Sequence, residues 1–285
     1  MAKVKTYLKV KDYSVSGEEF DLVFNSEFNF LETFPRPSED KLPDYYNSED
    51  YISHTDTKRN VFEKAYHFVR KMALKHKLDL INSFDLKDKK LLDVGCGTGD
   101  FLKVAKDGDW EVFGVEPNEK ARAIANQKTE NATFETEQLL KFKESSFDVI
   151  SLWHVLEHLP NLQEQLNLFK KILKPDGVLI IAVPNYNSYD ANYYKKHWAA
   201  YDVPRHLWHF SKTSISKLME KQNMKVDKIK PMWFDAFYVS LLSEKYKTGK
   251  MNPIKAFCVA SLSNLKALRT KECSSLIYVV KNREN

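Results

Sequence analysis

The chain carries only three cysteines, Cys96, Cys258 and Cys273. So few and so widely spaced, they build no disulfide framework, and without a Cys-x-x-Cys pair there is no closed structural zinc site. Long apolar runs are also lacking. No stretch approaches the ~20 apolar residues of a membrane-spanning helix, and MAKVKTYLKV at the start has no signal-peptide core, so no membrane span and a reducing, cytoplasmic setting are expected. Basic charge is in slight excess, 44 Lys+Arg against 39 Asp+Glu for a net charge of +5, and no long basic run gathers it. A nucleic-acid binder usually clusters its positive charge on one face; the pattern here reads as a solvated lysine surface with no nucleic-acid partner.

What is present is a globular composition, 43% hydrophobic and 29% charged over 285 residues, enough for one α/β domain with attachments. Residues 1–57 are aromatic, acidic and irregular and read as a hairpin-like appendage. In it VSGEEFDLVF is a turn leading into a strand and FNFLETF its partner, before Pro35 and Pro37 break the pattern. Residues 58–285 read as the main domain. Helical spacing over residues 58–82 places Val61, Ala65, Phe68, Val69, Met72 and Leu80 on one apolar stripe, with Lys and Arg opposite, a helix that either faces water or covers a site. From Lys89 to Asn185 short apolar runs (KLLDVG, EVFGVE, FDVISLW, GVLIIAVP) alternate with helix-like segments (FLKVAKD, NEKARAIANQ, LQEQLNLFKKILK). That alternation predicts βαβ units, a parallel sheet wound on both faces, and ligands bound outside the carboxyl ends of the strands.

The strongest local signal is LLDVGCGTGDFL, where a strand runs into Gly95, Cys96, Gly97, Thr98 and Gly99 and a helix follows. Dinucleotide-binding loops are spaced G-x-G-x-x-G. Here the spacing is G-x-G-x-G, with Asp100 in place of the last glycine, an acid that would repel a pyrophosphate at the helix N-terminus. Glu116, at the end of the next strand and followed by Pro117, can accept both hydroxyls of a nucleoside ribose.

These residues resemble the class I S-adenosylmethionine-dependent methyltransferases. The resemblance covers roughly residues 88–185 and takes in Asp93-Val-Gly-Cys-Gly-Thr-Gly, Glu116, FKESSFDVISLWHVLEHLP and LKPDGVLIIAVPN. It implies a doubly wound, seven-stranded, mostly parallel Rossmann-like sheet with one antiparallel strand near its edge. It implies S-adenosylmethionine as cofactor, with its methionine part in the Gly95–Gly99 loop, its ammonium group near Asp93, its ribose on Glu116 and its adenine near Glu137 or Gln138. A D-x-PRHLxHFS segment, Asp202 to Ser211, is similar to an uncharacterised bacterial subgroup of the methyltransferase-23 type.

Trp153, His154, Glu157 and His158 follow the fourth strand. Trp153 and His154 are expected to pack against the cofactor. His158 and His154 are the catalytic candidates, because transfer to a hydroxyl or amine needs a base and imidazole titrates near neutral pH. His154-x-x-Glu157-His158 also resembles the metal-binding Glu-x-x-Glu-His of ubiquinone-biosynthesis O-methyltransferases. Histidine replaces the first acid, whereas Mg²⁺ prefers oxygen ligands, so no metal is assigned. In the aromatic segment after the fifth strand, Trp198, Asp202, Arg205, His206 and His209 are the substrate-side candidates; Asp202 with Arg205 reads equally as a structural ion pair. Acceptor-side loop and helices are expected over residues 186–270 and a last strand over 274–281. MWFDAFYVSLLSEKYK and NPIKAFCVASLSNLKAL are apolar helices that pack together or close a homodimer. The expected function is in-line methyl transfer to a small-molecule acceptor. A non-catalytic cofactor-binding protein of the same fold is the alternative, and an NAD-dependent oxidoreductase is disfavoured by the loop spacing.

Overall fold

A computed structural model describes residues 6–38, 40–46 and 61–283. The expected boundary at residues 57 and 58 lies outside the described residues, as do positions 58–60 of the expected helix. Strands β1 (Thr6–Lys11), β2 (Glu19–Phe24) and β3 (Leu31–Phe34) precede helix α1 (Val61–Asn82). An alternating series follows: β4 (Lys90–Val94), α2 (Asp100–Asp107), β5 (Glu111–Val115), α3 (Glu119–Thr129), β6 (Thr133–Phe134), β7 (Phe147–Trp153), α4 (Leu162–Ile172) and β8 (Leu173–Pro184). The chain then runs through α5 (Tyr189–Tyr194), β9 (Trp208–His209), α6 (Lys212–Lys221), β10 (Met224–Met232), α7 (Asp235–Thr248), α8 (Pro253–Thr270) and β11 (Ser275–Asn282).

The main sheet has seven strands in the order β10-β11-β8-β7-β4-β5-β6. Neighbours from β8 to β6 are parallel, and β11 alone runs against both of its partners. This is the expected seven-stranded architecture; β10, which completes it at the edge, falls within residues 186–270, where loop and helices were expected. The apolar runs of β4, β7 and β8 are covered on both faces, as parallel strands require. Alternate residues enter opposite layers: Leu91, Val149, Val178 and Ile180 pack with Ile81 of α1 and Phe101 of α2. Leu92, Ile150, Leu179 and Ile181 pack with Leu166 and Phe169 of α4 and Leu218 of α6.

A second, four-stranded sheet has the order β1-β2-β3-β9. Its last strand comes from the segment after β8, with Leu31 opposite His209 and Glu32 opposite Trp208. Phe28 and Phe30 enter the main core beside Trp208 and Phe210, while Val10, Phe20 and Leu22 pack on Tyr194, Trp198 and Tyr201. The N-terminal strands therefore brace the segment in which substrate residues are expected. α7 and α8 pack on each other; α8 buries Ala256, Val259, Ala260 and Ala267 and leaves Ile254, Phe257, Leu265 and Leu268 exposed. Among the described residues no helix is long and apolar enough to cross a membrane.

Candidate active site

The loop after β4 is tied to the end of β5. The N–H groups of Gly95 and Cys96 both donate to the Val115 carbonyl, at 2.7 and 3.2 Å. Glu116 is buried, and its two carboxylate oxygens accept the N–H groups of Gly97 and Asn118, each at 2.9 Å. Burial pushes the Glu116 carboxyl up, against these backbone donors and Arg122. Gly97 sits at φ 55°, and a Cβ there would meet nothing within 4 Å. A ligand can therefore approach this backbone closely. Gly95 differs: at φ 68° its Cβ would lie 2.5 Å from Val155 Cγ2, so a side chain there disturbs the β7 end as well as the loop.

Asp93, on β4, is buried and accepts a hydrogen bond from Ser151 Oγ at 2.6 Å. Burial pushes its carboxyl up to about 6, with Lys77 and Ser151 pulling the other way. Lys77 belongs to α1. Its Nζ lies 4.3 Å from the centre of the Trp153 ring, a cation–π contact. Burial lowers the Lys77 ammonium to about 8, and Asp93, Asp235 and Asp100 oppose that shift. Arg70, two turns earlier, pairs with Asp100. Of the two expectations for this helix, facing water or covering a site, these cations do not follow the first. Both are instead half-buried, along with Ala73, Leu74 and Leu78 and beside buried Ile81; of the expected apolar stripe Leu80 is buried, Val69 and Met72 are half-buried, and Phe68 is 64% exposed. The side chains of Val61 and Ala65 lie outside the description. Asp100 is not a bare acid at the helix start either: Lys128 Nζ reaches it at 2.7 Å and Arg70 pairs with it, which removes the charge argument against a phosphate.

At the end of β7, His154 adopts a left-handed backbone (φ 57°). Its Nε2 lies 3.0 Å from Asp235 at the start of α7 and its Nδ1 3.4 Å from Glu157. Burial pushes the imidazole down, but the two carboxylates outweigh it and hold the group at about 10. An imidazolium at neutral pH cannot accept a proton, which argues against His154 as a general base. His158 is the opposite case. Burial and the neighbouring His206 lower it to about 4, so its imidazole is uncharged. Its Nδ1 lies 3.0 Å from the Arg205 carbonyl and 3.1 Å from Tyr46 Oη. His158 and His206 meet edge to face with ring centres 4.6 Å apart.

A family model for a methyltransferase domain matches residues 59–229, well over half of the chain. The chain belongs to the S-adenosylmethionine-dependent methyltransferases. Curated relatives include the ubiquinone/menaquinone biosynthesis C-methyltransferase of Campylobacter jejuni, 26% identical over 33% of this chain and 44% of that protein. The ubiquinone biosynthesis O-methyltransferase of an Azoarcus species is 29% identical over 36% of this chain and 47% of that protein. This methyltransferase thus spans about half the length of the curated relatives it matches. The solved magnesium protoporphyrin IX methyltransferase of Synechocystis, with S-adenosylhomocysteine bound, shares the fold with a TM-score of 0.56 at 15% identity, over 86% of this chain and all of that one. A methyltransferase from Archaeoglobus fulgidus does so at 0.53 and 18%, over 78% of this chain and 98% of that one. The family to which the chain belongs uses S-adenosylmethionine as cofactor. The chain's own residues fit it: a carboxylate beside an open glycine backbone, a second carboxylate at Asp93, and a buried indole N–H of Trp153 that has no partner.

The remaining expected residues of the methyltransferase fall into three groups. Glu137, exposed, and Gln138, half-buried, lie on a cavity of about 400 Å³ lined also by Arg122, Thr133, Phe134 and Lys141, beyond the Glu116 end of the sheet. Pro117 is exposed beside Arg122, and Thr98 Oγ1 donates to Asp100 at 3.1 Å. On the acceptor side the structure separates residues that the sequence groups together. Trp198 is buried and donates to Asp190 at 2.7 Å, so it belongs to the packing of the small sheet rather than to an open pocket. His209 is buried too: Thr33 Oγ1 donates to the His206 carbonyl at 2.6 Å and accepts from His209 Nε2 at 3.0 Å. Asp202 and Arg205 form the structural ion pair, and Arg205 also donates to the Tyr45 carbonyl at 2.8 Å. Of the five, His206 brings its ring to the β7 end, against His158, and Arg205 brings its carbonyl.

Proposed function

We propose that this enzyme transfers the methyl group of S-adenosylmethionine to a small-molecule acceptor bearing a hydroxyl or amine, bound beside Glu157, His158 and His206. Bound cofactor supplies a methyl on a positively charged sulfur. Glu116 accepts the ribose hydroxyls, and Asp93 receives the ammonium. The Gly97 backbone lets the methionine part pass, while Glu137 and Gln138 border the adenine. Lys77, above Trp153, is set to pair with the methionine carboxylate. His154, held as imidazolium between Asp235 and Glu157, positions the start of α7. Such a cofactor would supply the methyl group to the acceptor's lone pair and keep the electrons of the broken carbon–sulfur bond on sulfur, and uncharged His158 would take the acceptor's proton. Alignment and exclusion of water are the main demands of such a displacement.

The observation that carries this reading is the pairing of Glu116 with the open backbone of Gly97, 2.9 Å apart at the carboxyl edge of the sheet. Relatives named for C- and O-methylation in quinone biosynthesis support the small-molecule class. Calorimetric titration with S-adenosylhomocysteine, with NADH in parallel, tests it. Binding of the former alone is expected. Glu116→Ala should weaken it by about 10- to 100-fold, the loss of hydrogen bonds to a charged acceptor. Unchanged affinity in Glu116→Ala, with far-ultraviolet circular dichroism retained, would overturn the ribose assignment.

A further inference from the structure

We propose that Glu157, His158 and His206 form a binding site for one divalent transition-metal ion of the zinc type. One donor atom from each of the three lies within 4.8 Å of the others. The chain brings them together from distant positions. Glu157 and His158 share the short helical turn after β7, and the Leu207 N–H donates to the Glu157 carbonyl at 2.8 Å, pinning the His206 segment against that turn. The carboxylate is the telling group. Glu157 is 1% exposed, and neither of its oxygens has a hydrogen-bond partner. His154 Nδ1, 3.4 Å from Oε1, supplies charge at that distance without hydrogen-bond geometry. The His154 charge offsets part of the cost of burying this carboxylate, but with no hydrogen-bond donor its lone pairs remain open for a cation to complete.

The histidines are oriented for the same purpose. His158 Nδ1 faces the Arg205 carbonyl at 3.0 Å and His206 Nδ1 faces the Ala200 carbonyl at 2.9 Å. A carbonyl only accepts, so each Nδ1 carries a proton and Nε2 is the atom of each ring left to bind an ion; that of His206 lies 3.9 Å from Asp202 Oδ2. A backbone carbonyl that fixes the tautomer is the usual support behind a metal-bound imidazole. Three ligands at ~2.1 Å from a tetrahedral ion are roughly 3.4 Å apart, so the cluster closes by little more than ~1 Å on binding. Two imidazoles and one carboxylate suit zinc, cobalt or ferrous iron rather than magnesium or calcium, and they leave a coordination position open.

The role of the ion rests on reading this end as the acceptor side; the binding does not. In that open position an acceptor oxygen would lose its proton more readily. The ion and the acceptor's proton compete for the His158 lone pair, so with metal bound the ion takes over the activating role of His158. The test uses the full chain, stripped with chelator and titrated with Co²⁺, read by visible d–d absorption and followed by displacement with Zn²⁺. Saturation near one ion per chain is expected, with Mg²⁺ failing to compete. His206→Ala and Glu157→Gln should each weaken Co²⁺ by about 100-fold or more, given that even supporting residues cost 10- to 100-fold. S-Adenosylhomocysteine affinity, measured on the same variants, should persist and reports that they are folded. No Co²⁺ spectrum in wild type, or equal affinity in both variants, overturns the site. Cofactor binding without metal would sink this inference alone, and metal binding without cofactor would sink the functional reading alone.

Discussion

Asp93 and Lys77 act on one another's charge at the end of the site proposed for the cofactor, and each carries a shift toward neutrality. Asp93 is pushed up to about 6 and Lys77 down to about 8, burial being the first cause in both. Below about pH 6 Asp93 becomes protonated and loses the charge that receives an ammonium. Above about pH 8 Lys77 becomes neutral and loses the charge that pairs with a carboxylate. An amino-acid moiety carries both groups, so S-adenosylhomocysteine affinity should peak between these values and fall up to tenfold per pH unit outside them. Calorimetry across pH 5 to 9 on wild type and Lys77→Gln checks the assignment. The variant should keep the acid limb and lose the alkaline limb that Lys77 contributes. An alkaline limb unchanged in Lys77→Gln would mean that the ligand's own amine, not Lys77, sets it.

Among the elements, the joint between β3 and β9 couples the N-terminal strands to the histidine cluster. Thr33 Oγ1 serves both the His206 carbonyl and His209 Nε2. Thr33→Val keeps the shape and removes the hydroxyl, leaving two buried polar groups without a partner at about 1–3 kcal/mol each. A clear fall in thermal midpoint is expected, and an unchanged one would show that water replaces the hydroxyl. This joint is illegible in the sequence because its partners are far apart along the chain and β9 has only two residues. β10 is missed for a different reason: in MKVDKIKPM only Met224 is buried, so an edge strand shows no apolar run. The inward face of α1 is hidden because Arg70 and Lys77 interrupt it, and a charged side chain in a helical pattern reads as a water-facing one. By contrast the β4, β5, β7 and β8 ends are legible. Their apolar runs are local, both of their faces are buried, and the chemistry sits at the first residues past each run, as at Glu116. The aromatic density of residues 186–209 misleads for the same local reason: Tyr194, Trp198 and Tyr201 are large because they fill a core, not because they face a ligand.

The whole molecule closes its site from separate stretches of chain: the strand ends of the main sheet, the inward face of α1, and the segment braced by the small sheet. On the proposed reading none holds the cofactor's groups alone, since Asp93, Gly97 and Glu116 come from two strand ends and Lys77 from a helix that precedes them. A ligand that touches all of these binds only the folded chain, and mass action then converts affinity into stability. At one hundred times its dissociation constant, S-adenosylhomocysteine should add about 2.7 kcal/mol, and for a chain of this size that is a rise of roughly 5–10 °C in thermal midpoint. Scanning fluorimetry at pH 7 reads it directly. The rise should shrink at pH 5, where Asp93 is protonated, and should largely vanish in Glu116→Ala at the same ligand concentration. A rise that survives both changes would mean that the ligand is held elsewhere on the fold, away from the β4 and β5 ends.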